Sequence, residues 1–176
     1  VNQLVRSPGP YYHDEIDKSG NRLFSATIIP NRGAWIEYDS DSNDVVHVRI
    51  DRTRKLPATT LVRALLLETN EEMREILGDT KYLNATLEKE ISHTREEALI
   101  EIYKKLKPGD PAALESAIPL INNLLFDPKR YDLAKVGRYK FNKKLSVATR
   151  IMGQISAEDV VDPRTGELLC EKGEAI

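Results

Sequence analysis

Apolar and polar positions along this chain follow two different periods. Between residues 23 and 50 they repeat every two residues, as strands do; from residue 57 they recur at the three-to-four spacing of helices. Residues 23–29 are β-branched and aromatic, and residues 33–38 and 45–50 alternate, which predicts three strands. Pro30-Asn31-Arg32-Gly33 reads as a tight turn and residues 39–44 as a polar loop. The simplest arrangement of these pieces is an antiparallel meander. Ahead of it, residues 1–20 read as an extended arm and loop. Pro8-Gly9-Pro10 forbids a helix there, and Lys18-Ser19-Gly20-Asn21 is turn chemistry.

In the helical part, Leu61, Val62, Leu65 and Leu66 form one stripe. Thr69-Asn70-Glu71-Glu72 and Thr94-Arg95-Glu96-Glu97 are capping-box sequences that open two further helices. Gly78 is placed to end the first. Ala98, Leu99, Ile102 and Leu106 share a face of the second, which Lys107-Pro108-Gly109 stops. Asp110 and Pro111 predict the start of another helix, with Leu114, Ala117, Ile118, Ile121 and Leu125 apolar, and Pro119 should kink or split it. Residues 128–145 read as irregular, basic and aromatic. Residues 158–173 read as two strands around the turn Asp162-Pro163-Arg164-Thr165-Gly166. The fold class is therefore α+β, a small antiparallel meander with a helical cluster. Its expected segments are an arm with a three-stranded meander (1–57), a helical part (58–127), and a basic irregular stretch with a hairpin (128–176).

Strand parity singles out one side chain. Ala34, Ile36 and Tyr38 point one way, while Trp35 and Glu37 point the other. Val46, Val48 and Ile50 make an apolar face, leaving His47, Arg49 and Asp51 opposite. The only tryptophan thus lies on a polar face, where a large indole more often makes a contact surface than a core.

Composition narrows the class without choosing a function. The 176 residues are 40% hydrophobic and 31% charged, as in a soluble globular protein. No apolar run is long enough to span a membrane, and no basic leader with an apolar core opens the chain. The single cysteine, Cys170, has no internal partner, which fits the reducing cytoplasm. Beside Leu168 and Leu169 it reads as a small buried or half-buried residue. The first residue is Val1 and no helix stop precedes Ile176, so the chain reads as a piece of something larger.

Net charge is -2, which selects no partner, but its distribution is uneven. Arg49, Arg52, Arg54 and Lys55 face only Asp51 in one short run, and Lys129, Arg130, Lys135, Arg138, Lys140, Lys143 and Lys144 face only Asp132 in another. Each run is either a solvated face or a face for nucleic acid. Catalytic patterns are missing. His13, His47, His93 and Cys170 have no metal-ligand spacing, and Ser7 sits in Arg-Ser-Pro-Gly rather than a nucleophile elbow. The glycines form neither a P-loop nor a dinucleotide fingerprint. Glu71 and Glu72 are explained by favourable charge at a helix N-terminus.

Cations beside an exposed ring are the combination that grips a nucleic-acid strand, the cations taking phosphates and the ring stacking for ~1–3 kcal/mol per base. Asp51 either accepts from a base amine or pairs with Arg49, Arg52 or Arg54; Arg6 either donates to a guanine edge or is solvated.

Several long motifs then occur in order: Val1-Asn2-Gln3-Leu4-Val5-Arg6-Ser7-Pro8-Gly9, Ile28-Ile29-Pro30-Asn31-Arg32-Gly33-Ala34-Trp35, Val48-Arg49-Ile50-Asp51-Arg52-Thr53-Arg54-Lys55-Leu56-Pro57, Ile102-Tyr103-Lys104-Lys105-Leu106-Lys107-Pro108-Gly109, and Val136-Gly137-Arg138-Tyr139-Lys140-Phe141-Asn142. Together they resemble the β subunit of bacterial DNA-dependent RNA polymerases, in the lobe beside the DNA cleft, over nearly the whole chain. The resemblance departs at Pro10, where an aliphatic residue is usual, at Asn31, where an aromatic is usual, and in a short loop at 13–21.

What the resemblance implies is specific. The positions of Arg6, Trp35 and Asp51 belong to a surface that reads the non-template strand, the tryptophan stacking on a base. Arg54 and Lys55 lie in the basic run near the DNA, and Val1 and Gln3 border the rifamycin pocket. The parent reaction is nucleotidyl transfer with Mg2+ bound outside this chain. The fragment itself holds no cofactor and is expected to be inactive alone. The implied partners are DNA, the β′, α and σ subunits and transcription factors, with no membrane. The alternative is a docking module in which the helices of residues 58–126 receive transcription factors with little DNA contact.

Overall fold

A computed structural model of the chain describes residues 5–175. The chain divides into two compact units, residues 1–138 and residues 139–176.

In the first unit β1 (Gly9–Ile16), β2 (Arg22–Ile29), β3 (Ile36–Ser40), β4 (Val46–Ile50) and β5 (Leu56–Pro57) form one antiparallel sheet whose spatial order follows the chain. The expected meander is its centre. The expected arm is instead largely a strand: β1 pairs along its length with β2, from Gly9 opposite Ile29 to Ile16 opposite Arg22. From Tyr12 onward β1 is exposed on both faces, so it carries no apolar alternation to reveal it. As an edge strand it tolerates Pro10, whose missing N–H is not needed by a neighbour on the open side. The loop after it is closed by the Asp17 carboxylate, which accepts from the Ser19 and Asn21 amides at 2.8 Å each. β3 starts at Ile36 rather than Gly33 and runs through Asp39, leaving a shorter loop. There Asp41 accepts from the amides of Asn43 and Val45 at 2.8 and 3.0 Å.

One face of the sheet is covered by α1 (Ala58–Leu65), α4 (Arg95–Leu106) and α5 (Leu114–Leu125). Val48, Ile50, Leu56, Leu61, Ala64, Leu99, Ile102 and Ile121 form the shared core. Burying these side chains is the main favourable term, worth ~1.5–3 kcal/mol for each large aliphatic residue. α2 (Asn70–Leu77) begins at the predicted capping box. Thr69 Oγ1 accepts from Glu72 N at 3.2 Å, Glu72 Oε2 accepts from Thr69 N at 3.0 Å, and Gly78 at φ 86° ends the helix. At α4, Thr94 Oγ1 accepts from Glu97 N at 3.3 Å, and the Glu97 carboxylate takes the His93 amide at 2.8 Å.

Three helical features depart from the sequence pattern. α3 (Lys81–Lys89) was not legible, because only Leu83 and Thr86 of it are buried, too thin a stripe to register. α5 starts at Leu114 with Ala113 as its N-cap, so Asp110 and Pro111 precede it rather than open it. Pro119 does not split it. The carbonyl that loses its partner there belongs to Glu115, an exposed residue open to water.

Arg63, on α1, is buried and joins the helices. Its guanidinium donates to both Glu90 oxygens at 2.8 and 3.0 Å, to Asn70 Oδ1 at 2.6 Å and to the Glu68 carbonyl. Ser92 Oγ donates to Glu90 Oε1 at 3.0 Å. A buried pair is tolerable only when its remaining donors and lone pairs are filled in this way.

The stretch expected to be irregular contains α6 (Ala134–Lys144), whose last residues, from Tyr139, fall in the second unit. Only Gly137 of this helix is buried, so no apolar stripe announces it. The second unit continues with α7 (Val147–Ile151), also unforeseen, and the expected hairpin of β6 (Val160–Val161) and β7 (Leu168–Cys170). Its turn is closed by Gly166 N–H donating to the Asp162 carbonyl at 2.8 Å. Cys170 is half-buried. Among the described residues no helix is long and apolar enough to cross a membrane.

Candidate nucleic-acid interface

The turn ahead of Trp35 is braced from behind. Asn31 and Arg32 amides donate to the Asp132 carbonyl at 2.8 and 3.1 Å, and the Asp132 amide returns a bond to the Arg32 carbonyl at 2.8 Å. Gly33 has φ 123°, and a Cβ there would lie 2.7 Å from Tyr131 Cδ2 and 3.0 Å from the Arg130 carbonyl, so no other residue fits. Ala34 then inserts into the core, and the next residue, Trp35, faces out with 43% of its surface exposed. The indole is therefore displayed from a braced turn; it faces out as expected, but β3 begins only at Ile36, so strand parity does not itself reach Trp35.

Asp51 is placed next to it by the backbone. β3 and β4 pair as far as Ile36 opposite Ile50, and one step further the Asp51 amide donates to the Trp35 carbonyl at 2.9 Å. The strand ends there, so the parity argument does not reach Asp51. Asp51 and Arg52 take φ of 47° and 61°, and Thr53 N–H closes the turn on the Ile50 carbonyl at 3.1 Å. Asp51, Arg52 and Arg54 are all exposed.

The surrounding charges settle the pairing left open by the sequence. Arg49 lies across the ladder from Glu37, 3.9 Å away, and Lys55 Nζ is held by Asp39 at 2.8 Å. Among the described residues Asp51 makes no ion pair, so its carboxylate is not consumed by the arginines beside it. Lys55 presents a charge already shared with Asp39. His47 Nδ1 lies 3.9 Å from Asp39 and 4.0 Å from Asp41.

Arg6 is exposed on the segment before β1. That segment rests on α6: a Cβ on Gly137 would sit 3.3 Å from Pro8 Cβ and 3.7 Å from the Gly9 amide nitrogen. The structure thus joins Trp35 to Asp51 directly, while Arg6 is positioned through a different support. Val1 and Gln3 lie outside the described residues. The basic stretch has a role that composition did not reveal, since residues 128–132 buttress the Trp35 turn and Gly137 packs against the arm. The one available signal was Gly137, a glycine at a position where a helix meets backbone closely.

Burial raises the Tyr38 hydroxyl pKa, with Tyr131 adding to it, and burial likewise raises Tyr131. Neither points to acid–base chemistry at the surface. Among the described residues no three His, Cys, Asp or Glu side chains are grouped closely enough to hold a metal ion.

The fold is α+β and displays an exposed indole beside Asp51 at the end of the β3–β4 ladder. Residues 6–161 match the family described as RNA polymerase Rpb2, domain 2, and the chain belongs to that family. It is 62% identical over all 176 residues to the DNA-directed RNA polymerase subunit beta of Alkaliphilus oremlandii and, at the same identity, to that of Clostridioides difficile. Identity to the Clostridium novyi subunit is 58%. The chain spans 14% of the length of each of these relatives and corresponds to a β-subunit fragment.

Proposed function

We propose that this chain is the lobe of a bacterial RNA polymerase β subunit and supplies a contact for the non-template strand and downstream duplex. The observation that carries this reading is the exposed Trp35 locked to Asp51 by a backbone bond, with Arg52 and Arg54 exposed on the same turn. The ring stacks on an unpaired base, the Asp51 carboxylate accepts from a base amine, and Arg6, Arg54 and Lys55 meet the backbone or a guanine edge. Nucleotidyl transfer belongs to the assembled enzyme with the β′, α and σ subunits in the cytoplasm. Its Mg2+ is held outside this chain, which is inactive alone. Val1 and Gln3 border the rifamycin pocket of that assembly.

The test is binding of a single-stranded oligonucleotide, read by quenching of the chain's sole tryptophan. Binding should weaken steeply with salt. Trp35→Ala should lower the affinity, read by anisotropy, by about 1–3 kcal/mol while leaving the far-ultraviolet circular dichroism unchanged. Binding that ignores salt, or that survives loss of the ring, removes the reading. A docking role for the helices is favoured by the exposure of Leu66, Ile76 and Leu77, at 80%, 66% and 51%. It is the reading left standing if Trp35→Ala has no effect.

A further inference from the structure

A concavity of about 930 Å3 in the first unit lies between the turn that follows Asp51 and one face of α4. Arg52 and Arg54 line it from the turn; Glu97, Glu101, Lys104 and Lys105 line it from the helix at three-to-four spacing. No carboxylate among the described residues lies within ion-pair distance of these four cations. Glu97 and Glu101 offset part of this charge, leaving four cations against two carboxylates in the lining. The Glu97 carboxylate is drawn to the helix start, where it accepts from the His93 amide at 2.8 Å. The groove therefore has cations on two walls and is open to solvent, and it begins one residue beyond the bond that ties Asp51 to Trp35.

We propose that this groove binds the phosphodiester backbone of a single strand, Arg52 and Arg54 taking phosphates from one wall and Lys104 and Lys105 from the other. Four cations on two walls exceed what one phosphate coordinates, which points to a polyanion. The neighbouring indole points to unpaired bases, since a ring stacks on a base only when that base is free of its partner strand. The proposal rests on the strand-binding reading above and adds the backbone path, with Lys104 and Lys105, which that reading did not include.

The experiment uses the 176-residue chain, a labelled oligothymidylate and a salt series, comparing Lys104→Gln/Lys105→Gln with Lys81→Gln/Lys89→Gln, an equal charge change on α3. Glutamine keeps the aliphatic stems, and circular dichroism checks folding. Each phosphate contact to a single strand contributes ~0.7 to the slope of log K against log salt. The α4 variant should therefore lose about 1.4 of slope and bind roughly 25-fold more weakly at ~0.1 M salt. Trp35 quenching at saturation should persist, and the α3 variant should bind like the parent. An unchanged slope in the α4 variant with Trp35 still quenched overturns the groove path alone. Equal losses in both variants overturn it too, because only net charge would matter. A polyglutamate peptide that displaces the oligothymidylate at matched charge assigns the groove to acidic peptides instead. A parent chain that neither binds nor quenches overturns the strand-binding reading itself, and the groove with it.

Discussion

The Asp51 amide donates to the Trp35 carbonyl at 2.9 Å, one step past the last pair of the β3–β4 ladder. The bond holds the chain where Asp51 turns into the left-handed region at φ 47°. Asp and Asn tolerate that region because their short polar side chains bond locally; β-branched residues do not. Asp51→Asn should therefore keep the turn and its stability while removing the charge offered to a base. Asp51→Val should cost about 1–2 kcal/mol in urea unfolding. Equal stability of the two variants would mean that the turn does not hold this conformation in solution.

Gly33 supports the same surface from the other side. Gly33→Ala should lose about 1–3 kcal/mol to its φ of 123°, with more from the clash on Tyr131 and the Arg130 carbonyl. Hydrogen exchange at the Asn31, Arg32 and Asp132 amides should accelerate, because their mutual bonds depend on that close approach. Tyr131→Ala in the same background should relieve the side-chain clash but not the backbone strain. Full rescue by it would show that strain is absent.

The Arg63–Glu90 pair makes a strong claim about stability. Glu90→Ala strands a buried guanidinium and should cost about 3–5 kcal/mol. Arg63→Met/Glu90→Leu should be milder than the single change, since neither charge then remains buried. Some loss should persist because Asn70 and Ser92 forfeit partners. Urea unfolding of the three chains decides this; a double variant worse than Glu90→Ala would contradict it.

Acid should act first through the helix starts. The Thr69 and Glu68 amides hold the Glu72 carboxyl below its ordinary value, and the His93 and Thr94 amides do the same for Glu97. A carboxyl lowered on folding adds stability above its unfolded value, about 4.3, and that stability is lost as pH falls through the lowered folded value. Glu101 runs the other way: its raised carboxyl favours the fold below the unfolded value, and that contribution is lost as pH rises through the folded one. The thermal midpoint should thus fall on acidification below the ordinary glutamate range, and Glu72→Gln should flatten that fall. A pH profile identical to the parent's would exclude the capping contribution.

The elements that could be read from the sequence share one property: their signal is local. The capping threonines, Gly78, the alternation around Val48 and the turn at residues 162–166 all act over a few residues, and each appears where its pattern stands. β1, α3 and α6 could not be read because none carries an apolar stripe broad enough to register. β1 is ordered by β2, and the start of α6 packs its glycine on Pro8.

The same division runs through the candidate interface. The amino-acid sequence alone determined which residues of β3 and β4 share a face, since strand parity is a property of the backbone. It also carried the family, through long motifs in fixed order. Only the tertiary structure decided that Asp51 leaves the ladder and bonds back to Trp35, and that Lys55 is engaged by Asp39. It also decided that Lys104 and Lys105 stand across a groove from Arg52 and Arg54. These relations reach across more than fifty positions of the chain, and chain distance holds no record of them until the core between the sheet and α4 has formed.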